Sequence, residues 1–193
     1  MKERRYKEEY KLITQLDEKT GKPKQIPVYM GDYYAYADGV NRSALAKAGL
    51  PYLAAFVAAY GAYMALSSPS SYCIYVLPFA CCAVLPLLYA VLGAVSILRH
   101  TGKMTRVQKE TGIARLLRSL MGCGVLTALA LLGDGVFMAR NGFAGEVLAA
   151  LCLLAASGCA FVGFDRVRRI HNAMTLIPGK VTKEAAQKAG EQA

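Results

Sequence analysis

The chain lacks the short motifs that carry most recognisable chemistry. Its 193 residues contain no glycine-rich phosphate loop, no HExxH, no GxSxG and no pair of carboxylates on one apolar face. The six cysteines, Cys73, Cys81, Cys82, Cys123, Cys152 and Cys159, show no CxxC spacing, which argues against a redox pair or a metal knuckle. Each falls in an apolar run, where a thiol packs as a small hydrophobe. Adjacent Cys81 and Cys82 would point about 100° apart on a helix and would bridge only with distortion. Histidine is scarce as well: His100 has no neighbouring ligands for a metal, and His171 sits in the basic stretch "RVRRIHN". These absences predict no catalytic residue, no cofactor and no metal site. A short basic start with a cleavage site is missing, as are the glycine at position 2 and the C-terminal cysteine that lipidation needs, so the expectation is a retained N-terminus.

Hydrophobic residues, by contrast, make up 55% of the chain beside 19% charged ones, and the mean hydropathy is +0.30, so the two classes must be segregated. They are, into four apolar runs at 48–66, 73–98, 119–139 and 146–164. Each is close to the ~20 residues a helix needs to cross about 30 Å of hydrocarbon, and none shows the polar face of a soluble helix. The short connections "SSPSS" and "RNGFAG" bring each second helix back antiparallel to its predecessor. The predicted fold is an all-α membrane protein with four transmembrane helices in two antiparallel hairpins and a small N-terminal cytoplasmic β-hairpin. The segments are an N-terminal part (1–43), a first transmembrane hairpin (44–98), a basic loop (99–118), a second transmembrane hairpin (119–164) and a tail (165–193).

Charge placement predicts orientation. Ten Lys and Arg precede or open the first run, six lie in the 99–118 loop, six follow residue 164, and Arg140 alone lies in the remaining connections. The positive-inside rule puts the first three groups and both termini in the cytoplasm of a cell membrane, plasma or bacterial inner. The formal net charge of +10 is then a consequence of topology and calls for no nucleic acid. The bases flanking the runs, Arg99, Lys103, Arg106, Lys109, Arg115, Arg118, Arg166, Arg168 and Arg169, are candidates for contact with anionic lipid.

In the N-terminal part Tyr10, Leu12, Thr14 and Leu16 alternate with polar neighbours, and so do Ile26, Val28 and Met30. That pattern predicts a hairpin turning near Gly21, with Pro27 at an edge position. Tyr33, Tyr34 and Tyr36 follow and suit a foot at the headgroup level, or an aromatic recognition surface. In the loop, Thr105 and Gln108 form a capping box for a short interfacial helix ending before Gly112. Pro78 and Pro86 should kink the second helix. Small residues four apart, Ala54, Ala58 and Ala62, then Gly124 and Ala128, then Ala155, Cys159 and Gly163, are expected to bring helices into close contact within the chain.

Asp134, in "LLGDGVF", is the acid inside these runs. Its distance from the middle of the third run, about 7 to 8 Å at 1.5 Å per residue, and the flanking Gly133 and Gly135 predict an ionised, near-surface carboxylate. Water or the hydroxyls of Tyr60, Tyr63, Ser67 or Tyr75 would support it. The alternatives are a coupling-ion or proton site, because intramembrane acids are costly, and an ion pair with Arg140 or a partner protein. The function expected is a small integral membrane adaptor or accessory subunit without catalytic activity, contacting the bilayer and a membrane-protein partner or a second copy of itself. The rival is a small oligomeric transporter or channel using Asp134.

Overall fold

A computed structural model of the chain describes residues 10–16, 23–35, 42–99, 104–143 and 145–177. Four helices long and apolar enough to cross a membrane dominate it. Two strands come first, β1 (Tyr10–Leu16) and β2 (Pro23–Tyr29), antiparallel with Tyr10 opposite Tyr29 and Leu16 opposite Pro23. The alternating pattern thus does form a hairpin, and its turn at Gly21 lies outside the described residues. Pro23 and Pro27 are accommodated because β2 has a free edge in this two-stranded sheet, where a missing N–H costs no ladder bond.

The tyrosine segment does more than the foot expected of it. Tyr33–Ala35 is a third strand, β3. It is followed by helix α1 (Arg42–Ala65), the 3₁₀ turn Pro69–Tyr72 and helix α2 (Leu77–Arg99). Two further short strands, β4 (Met104–Thr105) and β5 (Thr175–Ile177), flank β3 in a second sheet of order β4–β3–β5, both antiparallel to it. Tyr33 stands opposite Thr105 on one side and Ile177 on the other. Three segments far apart in sequence are therefore tied together at one end of the bundle. Tyr36 lies outside the described residues.

The capping box forms as expected: Gln108 N donates to Thr105 Oγ1 at 3.3 Å, and Thr105 N donates to Gln108 Oε1 at 3.0 Å. The helix it starts, α3 (Arg106–Lys109), does not stop before Gly112. It passes through a π turn, Glu110–Ala114, into α4 (Arg115–Asn141), so the short capped helix and the third long helix are one continuous rod. Gly112 is buried inside the rod, where the chain crosses α2. A Cβ on Gly93 of α2 would stand 2.9 Å from Leu116 N and 3.1 Å from Gly112 O. Only glycine permits that backbone approach, and the crossing fixes where the loop's helix must lie. The rod ends at Gly142, whose positive φ of 91° breaks the helix before α5 (Val147–Asn172).

The two hairpins of the expected fold are hairpins in sequence but not equally in packing. Helix α1 packs along α5, α2 along α4, and α4 along α5, while α1 and α2 touch sparingly despite their short connection. Connection length constrains the helix ends and not the faces, and the glycines decide the faces. Gly163 of α5 meets Tyr52 of α1, and Gly124 of α4 meets the ring of Phe161 on α5. The stripe Ala54, Ala58 and Ala62 points outward, as does Ala155, whereas Ala128 and Cys159 are half-buried, so the expected within-chain contact holds for α4 and α5 and fails for α1. Pro78 lies in the first turn of α2, the part of a helix where proline is tolerated without a kink. Pro86 is internal and rests against Gly122 of α4.

The core runs along the axis as Phe56, Tyr60 and Tyr63 of α1 facing Ala149, Leu153, Ala156 and Ala160 of α5. Phe56 and Tyr60 stack with centroids 5.6 Å apart. The outer surface is apolar: Leu85, Leu88, Leu92, Leu132, Leu148 and Leu154 are all exposed. Exposed leucine on this scale goes with four helices long and apolar enough to cross a membrane.

Candidate functional site

Among the described residues, two places gather polar side chains. One is the sheet end. Tyr10, Tyr29 and Tyr33 form a ladder of edge-to-face rings, 5.2 and 5.1 Å between centroids, which leans the β1–β2 hairpin on the β4–β3–β5 sheet. Tyr29 Oη donates to the Asp32 carbonyl at 3.0 Å. The bases expected at lipid divide here into two groups. Lys109 and Arg115 are half-buried, with Lys109 Nζ 3.9 Å from the centroid of the Tyr34 ring and the Arg115 guanidinium 5.9 Å from that of Tyr89. Those two cations are partly engaged by aromatic faces. Arg99, Arg106, Arg118, Arg166, Arg168 and Arg169 are exposed. Arg106 pairs with Glu110 at 3.6 Å and Arg169 with Asp165 at 2.8 Å, both exposed i,i+4 pairs of small energetic weight. Lys103 and His100 lie outside the described residues. His171 is half-buried, with Nδ1 3.4 Å from Asn172 Oδ1.

The other place is the opposite end, where the 3₁₀ turn folds over the tips of α4 and α5. Asp134 lies here, and it is not near-surface: its exposure is 0%. Burial is decided by what covers a residue, and not by its distance along the helix. The cover is the turn itself. A Cβ on Gly133 would stand 2.6 Å from the Tyr75 carbonyl oxygen, so the chain after the turn lies directly on α4. Gly133 therefore admits a neighbouring backbone. It does not open the helix, which runs unbroken past Asp134 to Asn141. Gly135 meets nothing within 4 Å.

The residue that sequence reasoning missed is Glu146. Read as the boundary of the fourth apolar run, it is in fact 1% exposed. Standing at the N-cap of α5, it makes no cap bond with its own helix and reaches across to the turn instead. Ser70 N donates to Glu146 Oε1 at 3.2 Å, and Ser70 Oγ donates to Glu146 Oε2 at 2.6 Å. The adjacent Ser68 and Ser71 hydroxyls bond each other at 2.6 Å. A serine-rich turn followed, many residues on, by an acid closing an apolar run was the available signal. Nothing local joins the two.

Glu146 shares its compartment with Asp134, which lies within electrostatic reach of it and beside Ser70. Yet the Ser70 hydroxyl has one proton, and that proton is committed to Glu146. Neither carboxylate oxygen of Asp134 has a hydrogen-bond partner among the described residues, and the hydroxyl of Tyr63, 1% exposed and close to both acids, has none either. The other supports expected for Asp134 are elsewhere. Tyr60 Oη donates to the Ala80 carbonyl on α2, Ser67 is exposed, and Tyr75 contributes its carbonyl while its side chain is half-buried. Arg140 is exposed and forms no ion pair with Asp134 among the described residues.

No group of three or more His, Cys, Asp or Glu able to hold a metal ion occurs among the described residues, and none of the six cysteines is paired. The chain was compared with protein-family models, with curated proteins and with solved structures, and nothing matches in any of the three.

Proposed function

We propose that the protein is a small integral membrane adaptor or accessory subunit, without catalysis of its own, spanning a cell membrane four times with both termini on the cytoplasmic side. The observation that supports the adaptor reading is the β4–β3–β5 sheet. It draws the N-terminal segment, the basic loop and the C-terminal tail into one folded platform, against which the β1–β2 hairpin leans. Such a platform offers a membrane-protein partner, or a second copy of the chain, a fixed surface. The exposed arginines around it suit anionic lipid, each worth about 1 kcal/mol close to the surface. After reconstitution in mixed vesicles, Arg166→Gln, Arg168→Gln and Arg169→Gln together are expected to lower the enrichment of anionic lipid around the protein, and wild type is expected to carry no flux under a proton or sodium gradient. Flux that vanishes in Asp134→Asn, with folding intact, would overturn the adaptor reading.

That outcome belongs to a second reading, a small oligomeric transporter or channel, which the burial of Asp134 beside Glu146 favours. Intramembrane acids without a counter-ion are expensive and mark ion pathways when they are kept.

Orientation has its own test, using impermeant thiol labelling from outside intact cells after the native cysteines are replaced. Single cysteines at Ser67 and Phe143, both exposed on the turns, are expected to react. Cysteines at Ser70, buried under Glu146, and at Gln108, on the sheet side, are expected to stay unlabelled. Reaction at position 108 would reverse the topology.

A further inference from the structure

We propose that Asp134 and Glu146 form a one-proton site, in which the proton resides on Asp134. The inference uses the same residues as the transporter reading but concerns occupancy alone, so it stands whether or not the protein moves ions.

Asp134 and Glu146 are buried, 0% and 1% exposed respectively, and no cation forms an ion pair with either among the described residues. Two ionised carboxylates in one buried compartment combine two desolvation costs with mutual repulsion, and one added proton removes most of both. Hydrogen bonding decides where that proton sits. Glu146 receives a donor on each oxygen, the Ser70 N–H and the Ser70 hydroxyl, which is the arrangement that stabilises an anion. Asp134 receives none. A protonated Asp134 no longer carries a charge that its surroundings leave without a donor.

A proton suits the site better than a metal ion does. It needs no cavity, and the oxygens of Glu146 are already engaged by Ser70. The titratable groups at this end of the bundle are Tyr63 of α1, with Cys81 of α2 near it, and Tyr75 beside the turn, with Cys73 and Arg140 near it. None of them places a cation against either acid. Loading and release are simple proton transfers: Asp134 Oδ takes H⁺ from water at the turn end, and on release gives it back, leaving the pair with two negative charges. Because Ser70 sits between the two acids, the charge state bears directly on the clamp that holds the turn down.

The test is infrared spectroscopy of the full-length protein in lipid nanodiscs at neutral pH. Wild type is expected to show one carboxylic-acid carbonyl band. Labelling all aspartate carboxyls with ¹³C should shift it, labelling glutamate carboxyls should not, and Asp134→Asn should abolish it. Since labelling leaves the protein wild type, the result does not depend on any variant folding. A missing band, a band that moves with glutamate labelling, or one that disappears when sodium, potassium or calcium is added at fixed pH would each overturn the proposal. The last would identify a metal ion as the occupant. Flux measurements play no part in these outcomes, so failure here is distinct from failure of either functional reading.

Discussion

Gly133→Ala is expected to destabilise the protein by about 1–3 kcal/mol, the range for overpacking a well-filled site, with the upper end favoured here. Alanine is the better helix former by roughly 1 kcal/mol, so propensity alone predicts the opposite sign. Geometry overrides it. The new Cβ would stand 2.6 Å from the Tyr75 carbonyl oxygen and 3.0 Å from Val76 Cγ2, and the first of these is backbone that cannot rotate out of the way. Either α4 or the turn has to move, and the turn carries Ser70, the partner of Glu146. Gly135→Ala, two residues on in the same helix, is the control. Its Cβ meets nothing within 4 Å, and the change should be neutral or slightly stabilising. Thermal or denaturant unfolding in detergent or bicelles measures both. Equal effects at the two positions would show that the turn does not lie on α4 at Gly133.

Glu146→Ala is expected to be about as damaging, for a reason of polarity and not of volume. The substitution leaves the buried Ser70 N–H without its partner, at about 1–3 kcal/mol, and takes from the Ser70 hydroxyl its short bond, leaving it only the Ser68 hydroxyl at 3.4 Å. Part of that is returned, because the desolvation cost of a buried acid is also removed. Glu146→Gln should cost less, about 1 kcal/mol, since the amide oxygen accepts from Ser70 N and the serine hydroxyl can turn to accept from the amide. Ser70→Ala should fall between them, removing one donor while the backbone bond remains. The ordering Glu146→Ala, then Ser70→Ala, then Glu146→Gln, measured by the same unfolding assays, is the signature of a carboxylate clamp. If Glu146→Ala were as stable as wild type, the turn would be held by apolar packing alone.

The two ends of the bundle are built on different logic. At the sheet end, backbone pairing between β3 and its two neighbours fixes the segments, and cations rest on aromatic faces. At the turn end, a few side-chain bonds to one buried acid do the same for the connection between α1 and α2. Sparse packing between those two helices makes this clamp matter more, because little else holds the turn against α4 and α5.

The sequence by itself determined the features whose physics is local. Run length and uniform apolarity specified four long helices, alternation specified the β1–β2 hairpin, and the Thr105–Gln108 spacing specified where α3 starts, because each depends on neighbours within a few residues. Tertiary structure alone decided the rest. Pairing of α1 with α5 and of α2 with α4 depends on which glycine faces which backbone, a matching that an apolar run does not encode. The three-residue strand β3 and its still shorter partners carry no periodicity long enough to read, and they exist because three chain segments meet. Asp134 was visible as a carboxylate in an apolar helix, but its burial was set by a turn sixty residues away in sequence and by Glu146 at the start of another helix. Whether a polar side chain reaches water is a property of everything folded over it, and that is fixed only when the elements assemble.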